Sequence, residues 1–245
     1  MVRRMKQNFL LDAGKSLDSE ELIATKKERN VEIKHYKIKE DEKDIRKGDH
    51  FTLSFDATVL YQDSLVLEKV FTKTFKTFLR KYHKGGTILI IGLGNSSIIG
   101  DSFGSKVLER LVATNQYNDF LTIPKVALFT PETTSKTGIS SFRLIEMVVG
   151  YLKPDVIVLI DSFITKEEKY LDMSLEINDC GIVFADQLRS NKEITFETFH
   201  IPVLSIGYPA LLRTHDSFFC KHTIVNDLEI ISNLVSHAIN RIIFA

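Results

Sequence analysis

The chain has few of the residues that cross-link secreted proteins, because only two of its 245 residues are cysteines, Cys180 and Cys220. A disulfide framework needs more cysteines than this, so the sequence predicts a protein of a reducing, cytoplasmic compartment. No apolar run approaches the length of a membrane span, and the apolar stretch near the N-terminus is too short for a signal peptide. These absences favour a soluble intracellular protein with no membrane partner.

The chain also lacks an excess of charge of either sign, since 32 basic residues balance 32 acidic ones. A neutral total provides no general argument for a nucleic-acid partner or for an acidic substrate. The seven histidines are scattered without the spacing typical of metal ligands, so we expect no metal site. We also expect no cofactor. Apolar residues, in contrast, make up 44% of the chain, which is enough for a sizeable core and argues against disorder.

Apolar runs alternate with amphipathic segments of helical period over most of the chain. Strands are predicted at 88–91, 125–129, 156–160, 173–177 and 202–206, and helices at 103–114, 138–152 and 227–242. Such alternation is typical of a largely parallel sheet that is covered by helices on both sides. Two further strands, 31–39 at an edge and 50–60, are predicted before it. We therefore predict a single α/β domain over residues 1–245, with three layers, a mixed sheet and an N-terminal β extension.

Residues 71–82 have helical spacing that segregates aromatic from basic side chains. Phe71, Phe75, Phe78 and Tyr82 share one face, whereas Lys73, Lys76 and Arg80 share another. One interpretation is a nucleic-acid surface, and the other is a core-facing helix with a solvated basic face. We favour the second, because the periodicity accounts for both sets of residues without a ligand.

Three aspartates lie at the ends of predicted strands or in the loops after them: Asp101, Asp161 and Asp179. The first follows a glycine-containing loop, Gly92-Leu93-Gly94-Asn95, that ends a buried strand. Open α/β sheets bind ligands at the carboxyl ends of their parallel strands. A lone aspartate there is most often a cap or turn residue. Two that converge can share a proton, so that one activates a water and the other protonates a leaving group.

Other chemistries have less support in the sequence. A dinucleotide-binding loop would need a third glycine where Ser97 stands. There is no nucleophile elbow, and Cys180 has no obvious histidine partner along the sequence, so serine or cysteine catalysis lacks support.

Five segments, in the same order, resemble the spore germination protease family of aspartic-type endopeptidases. They are GLGNSSIIGDSFG (92–104), TPETTSKTGISS (130–141), KPDVIVLIDSF (153–163), INDCGIVFAD (177–186) and IPVLSIGYPALL (201–212). The resemblance aligns Asp101 and Asp179 with the two proposed catalytic aspartates of the family. We expect Asn95 to help orient Asp101, and Asp161 to support the pair.

The resemblance also implies a phosphorylase/hydrolase-like fold, shared with hydrogenase-maturation endopeptidases. It implies cleavage of small acid-soluble, DNA-protecting spore proteins in the spore core, by a protein that is made as a zymogen and assembles into homotetramers. The chain departs from the family at 183–187, where bulky residues replace a glycine-rich stretch. Two alternatives therefore stay open: a catalytically silent paralogue that binds a protein partner, and a small-molecule or nucleotide binder that uses the same edge of the sheet.

Overall fold

The computed structural model describes residues 9–13, 20–41, 45–117, 123–185, 191–215 and 217–244. The strands in these ranges are β1 (Glu20–Glu28), β2 (Val31–Ile38), β3 (Gly48–Ser54), β4 (Thr87–Gly92), β5 (Lys125–Phe129), β6 (Val156–Thr165), β7 (Ser174–Asn178), β8 (Ile182–Ala185), β9 (Asn191–Ile194), β10 (Val203–Arg213) and β11 (Phe218–Phe219). The helices are α1 (Leu10–Ala13), α2 (Ala57–Gln62), α3 (Ser64–Tyr82), α4 (Phe103–Leu108), α5 (Thr134–Thr137), α6 (Ser141–Leu152), α7 (Phe196–Phe199) and α8 (Ile224–Ile243).

One mixed sheet runs in the order β1-β2-β3-β7-β10-β6-β4-β5, with β11 paired to β10. The strands β10, β6, β4 and β5 are parallel to one another. The strands β1, β2, β3 and β7 continue the sheet in antiparallel fashion as far as β10. The predicted mixed α/β sheet with an N-terminal β extension is therefore confirmed.

Both faces of the parallel strands are buried, which makes three layers. Along β6, Val156, Val158 and Ile160 join a core formed with α3, α4 and α8. The alternate residues Ile157 and Leu159 join a second core that includes α1 and α6. Burial on both faces explains why β4 and β6 are continuous apolar runs in the sequence instead of alternating patterns.

The aromatic stripe of α3 faces the core, as its periodicity predicted. Phe71, Phe75 and Phe78 are buried, whereas Lys73 and Arg80 on the other face are exposed. The helix begins earlier than predicted, at Ser64.

No helix in the described part of the chain has the length and apolar character needed to cross a membrane.

Several predicted boundaries were wrong, each for a local reason. The strand predicted at 50–60 ends at Ser54, because the Asp56 side chain accepts a hydrogen bond from the Val59 N–H (2.9 Å) and caps α2. The closing helix was predicted to begin at Asp227 but begins at Ile224. Asp227 therefore lies in its first turn, where it is buried and accepts hydrogen bonds from the hydroxyls of Tyr61 and Thr223.

The strands β6 and β10 are longer than predicted, and this matters most for the site. They stay paired beyond Asp161 and Gly207, as far as Thr165 and Leu212. Asp161 therefore lies within a strand and does not end it. The unpredicted strand β1 covers β2, so β2 is not an edge strand.

Candidate active site

The loop after β4 turns sharply and carries an aspartate back toward the sheet. Gly94 adopts φ +100°, and a Cβ atom there would lie 2.0 Å from the carbonyl oxygen of Asp101. Only glycine combines that backbone conformation with such a close approach. The backbone N–H of Asn95 donates to Oδ2 of Asp101 at 2.8 Å. Asn95 therefore contacts Asp101 through its main chain.

The same loop is fastened to β6 on either side of Asp161. The N–H of Leu93 donates to the carbonyl of Ile160 (2.8 Å), and the N–H of Phe103 donates to Oγ of Ser162 (3.4 Å). Asp101 precedes Phe103 by two residues, so these bonds bring Asp101 and Asp161 to the same site. Both aspartates keep partial access to solvent.

The two carboxyl groups interact electrostatically. Burial raises the pKa of Asp101 to about 6, with a further increase from Glu132, although the Asn95 N–H acts in the opposite direction. Burial and the neighbouring Asp101 raise the pKa of Asp161 well above its usual range. Because like charges at short range disfavour double ionisation, the pair holds one proton more readily than two separate carboxyls would.

Asp179 lies elsewhere, so the predicted pairing of Asp101 with Asp179 was wrong. Oδ1 of Asp179 accepts from the Asp49 N–H (2.7 Å), and Oδ2 accepts from Lys81 (3.3 Å) and from the Tyr82 hydroxyl, both at the end of α3. The prediction assumed a parallel strand, but β7 is antiparallel to β10. Its carboxyl end therefore lies toward the amino ends of the parallel strands, on the α3 face, whereas Asp161 faces the opposite layer.

We expect Asp179→Asn to lower the free energy of unfolding by about 1–3 kcal/mol, because hydrogen bonds to a nearly buried charge are lost. Urea denaturation measures this change. Asp63→Asn is the matched control, because the Asp63 carboxylate forms an exposed ion pair with Arg29 and makes no side-chain cap hydrogen bond to α3. This substitution should change stability by less than about 0.5 kcal/mol. Equal effects of the two substitutions would contradict a stabilising role for Asp179.

A cluster of polar side chains, which the sequence analysis missed, supports the loop from the other side. Ser96 donates to Glu132 through its hydroxyl (2.6 Å) and its N–H (3.3 Å), and Lys136 contacts both residues. A cavity of about 370 Å³ lies beside this cluster, with Leu128 and Phe129 among its lining residues. The cavity is next to the loop that carries Asp101, so a substrate side chain bound there would be near the carboxyl pair.

The N-terminal segment packs against the site from the second core. The rings of Phe9 and Phe163 stack with their centroids 4.6 Å apart. A Cβ atom on Gly207, which is paired with Asp161 in register, would lie 2.4 Å from the Phe9 ring. This contact could not be predicted from local sequence patterns, because some 200 residues separate Phe9 from Gly207.

Two further expectations concern the surroundings of the pair. No group of three or more His, Cys, Asp or Glu side chains in the described ranges has the arrangement of a metal site. Of the bulky segment 183–187, Val183 is buried in the hairpin β8–β9, whereas residues 186–187 lie outside the described residues. The predicted crowding of substrate by this segment stays a prediction.

Comparison with known proteins identified a family that this chain resembles over most of its length. The family described as germination protease matches residues 5–227. The chain is 28% identical over 214 residues to the germination protease of Geobacillus sp. (strain WCH70), covering 78% of this chain and 57% of that protein. It is also 28% identical over 222 residues to the germination protease of Priestia megaterium, covering 82% of this chain and 60% of the relative.

Among solved structures, a nickel–iron hydrogenase maturation protease from Thermococcus kodakarensis KOD1 superposes with a TM-score of 0.41 at 18% identity, covering 66% of this chain and 97% of that one. The chain spans about three fifths of the length of the curated relatives described above.

Proposed function

The chain belongs to the germination protease family, and we propose that it is an endopeptidase in which Asp101 and Asp161 activate water. One observation carries this proposal. The loop after β4 is hydrogen-bonded to β6 next to Asp161, and it brings together two partly exposed carboxyl groups that each have a raised pKa. Raised carboxyl pKa values that arise from burial and a like-charged neighbour are typical of acid–base sites.

The chemistry follows from which carboxyl holds the proton. Asp161 is the acid, because its pKa is raised well above the usual range, and Asp101 is ionised above about pH 6. Asp101 takes a proton from water while the water oxygen bonds to the peptide carbonyl carbon. Asp161 gives its proton to the nitrogen as the C–N bond breaks. The proton on Asp101 then passes to Asp161, so the site returns to its starting state.

We propose small acid-soluble spore proteins as the substrates, in the cytoplasm of the spore core. The support is the name of the relatives, germination protease, together with the collinear motifs at 92–104 and 153–163. Assembly into a homo-oligomer is part of the same proposal, by resemblance to the family.

Incubation of the purified protein with a small acid-soluble spore protein tests the proposal. We expect discrete fragments, whose new termini mass spectrometry identifies, with no added metal or cofactor. Intact bovine serum albumin serves as a control for contaminating general proteases. Persistence of the intact spore protein between pH 5 and 8, at stoichiometric enzyme, would count against the endopeptidase.

A catalytically silent relative that binds a protein partner is the second candidate. The observation that favours it is strand β8, where the buried Val183 begins the segment that replaces a glycine-rich stretch of the family. In the same incubation, this alternative predicts a stable complex with spore protein and no fragments. The presence of both Asp101 and Asp161 at one site favours the enzyme over the silent relative.

A further inference from the structure

A second group of reactive side chains lies among the antiparallel strands, where Glu176 is two strands from Asp161 in the same row of the sheet. Sγ of Cys180 lies 3.4 Å from Nε2 of His50, and Nδ1 of His50 lies 2.9 Å from Oε1 of Glu176. His50 and Glu176 have no exposed surface, and 9% of Cys180 is exposed. A nucleophile next to a base, which a carboxylate orients in turn, is the arrangement that activates cysteine thiols. No histidine partner of Cys180 is evident along the sequence, because 130 residues separate Cys180 from His50.

The hydrogen bonds around this group indicate where its protons lie. Glu176 accepts from the N–H groups of Leu10 (2.8 Å) and Leu11 (3.1 Å), and it can accept from His50 only if Nδ1 carries a proton. Nε2 of His50 faces two acceptors, the Cys180 sulfur and the carbonyl of Arg46 at 3.3 Å. A second proton on Nε2 therefore satisfies both neighbours.

The electrostatic balance agrees with a doubly protonated ring. Burial alone would lower the pKa of His50, but Cys180 and Glu176 together outweigh it and raise that pKa well above its usual range. The guanidinium of Arg46 does not compete for Glu176, because it pairs with Asp41 and Glu193. His50 is thus able to hold the proton that the thiol gives up.

We propose that Cys180 is a peroxide-reactive thiol that His50 activates, with Glu176 orienting His50, at a site distinct from the carboxyl pair of the proposed peptidase site. The low exposure of Cys180 leaves no room for a peptide, so this group is not a second peptidase site. Hydrogen peroxide is close to water in size and is the oxidant that the proposal requires.

The reaction is a two-electron oxidation of the sulfur. The Cys180 thiolate attacks one peroxide oxygen, an S–O bond forms and the O–O bond breaks. The leaving hydroxide takes the proton that His50 holds and departs as water. The product is a sulfenic acid at Cys180, and one peroxide has been reduced to water.

The chain contains its own control, because Cys220 is a free and exposed cysteine. Native protein is treated with hydrogen peroxide at pH 7 for increasing times, and catalase then removes the remaining peroxide. The protein is unfolded in dimedone, which traps sulfenic acids, and peptide mapping measures both cysteines. We expect Cys180 to be trapped at least about tenfold faster than Cys220, since an ordinary cysteine is only a few per cent thiolate at that pH. Slower trapping of buried Cys180 than of exposed Cys220 would overturn the proposal.

Variants then separate activation from mere accessibility. In a Cys220→Ser background, His50→Gln should lower the rate of Cys180 trapping at least about tenfold, because the base that takes the thiol proton is gone. Circular dichroism and urea denaturation show whether this variant is folded, and the comparison of Cys180 with Cys220 in the native protein decides the question if it is not. A folded His50→Gln variant that reacts as fast as its parent would also overturn the proposal. Cleavage of spore protein by the peptidase site is a separate readout, so either proposal can fail alone.

Discussion

Asp101→Asn and Asp161→Asn should each reduce kcat for cleavage of spore protein by at least about 100-fold, because acid–base residues contribute roughly 10²–10⁴-fold. An asparagine at 101 cannot take a proton from water, and an asparagine at 161 cannot give one to the leaving nitrogen. Asparagine is close in size to aspartate, so folding should be retained, which circular dichroism checks. Steady-state kinetics on a fluorescent peptide derived from the substrate measures the loss.

The matched control is Asp179→Asn, which removes the third aspartate of the sequence analysis. We expect it to keep kcat within about twofold at temperatures where the variant is folded, because Asp179 bonds Asp49, Lys81 and Tyr82 and lies away from the pair. The double variant of Asp101 and Asp161 should be little worse than either single one, since residues that act as a unit are not additive. Loss of activity in Asp179→Asn, with full activity in Asp161→Asn, would restore the original pairing.

The dependence of kcat/KM on pH should agree with Asp101 as the base and Asp161 as the acid. Asp101 must be ionised to act as the base, so kcat/KM should increase as the pH is raised through about 6. Asp161 must be protonated to act as the acid, so activity should fall again at higher pH, where the pair loses its remaining proton. An activity that is flat from pH 4 to 8 would argue against a proton-sharing pair.

The parallel half of the fold could be predicted because its signal is local. Strands such as β4 are continuous apolar runs that end at glycine, and helices such as α6 and α8 have a clear apolar face. Asp101 could be proposed as a site residue for the same reason, since it follows a glycine-containing loop after such a strand.

The partner of Asp101 could not be predicted correctly, because it depends on strand direction. Asp161 and Asp179 both follow apolar segments, and nothing within those segments distinguishes a parallel strand from an antiparallel one. The antiparallel pairing of β7 with β10 carries Asp179 away from Asp101, and this is a contact between separate parts of the chain. The same holds for Phe9 against Gly207 and for His50 against Cys180.

Gly104 is the point at which α4 rests on the strands of the site. A Cβ atom on Gly104 would lie 2.5 Å from the carbonyl oxygens of both Ile160 and Leu93, and 2.6 Å from the Leu93 nitrogen. All three atoms are backbone, so no side chain can rotate away to make room. Ile160 and Leu93 are also the residues whose hydrogen bond joins the loop to β6.

Gly104→Ala should therefore force α4 and its loop away from β6, with Asp101 three residues upstream. We expect a loss of about 1–3 kcal/mol in the free energy of unfolding, as overpacking typically costs, together with a fall in kcat in the variant that remains folded. Urea denaturation and peptide kinetics measure the two effects. Gly150→Ala is the control, because Gly150 is exposed within α6 with open space around its Cα, and alanine there should add about 0.5–1 kcal/mol by its helix preference. If Gly104→Ala were as stable and as active as Gly150→Ala, close packing of α4 would not be what holds Asp101 against Asp161.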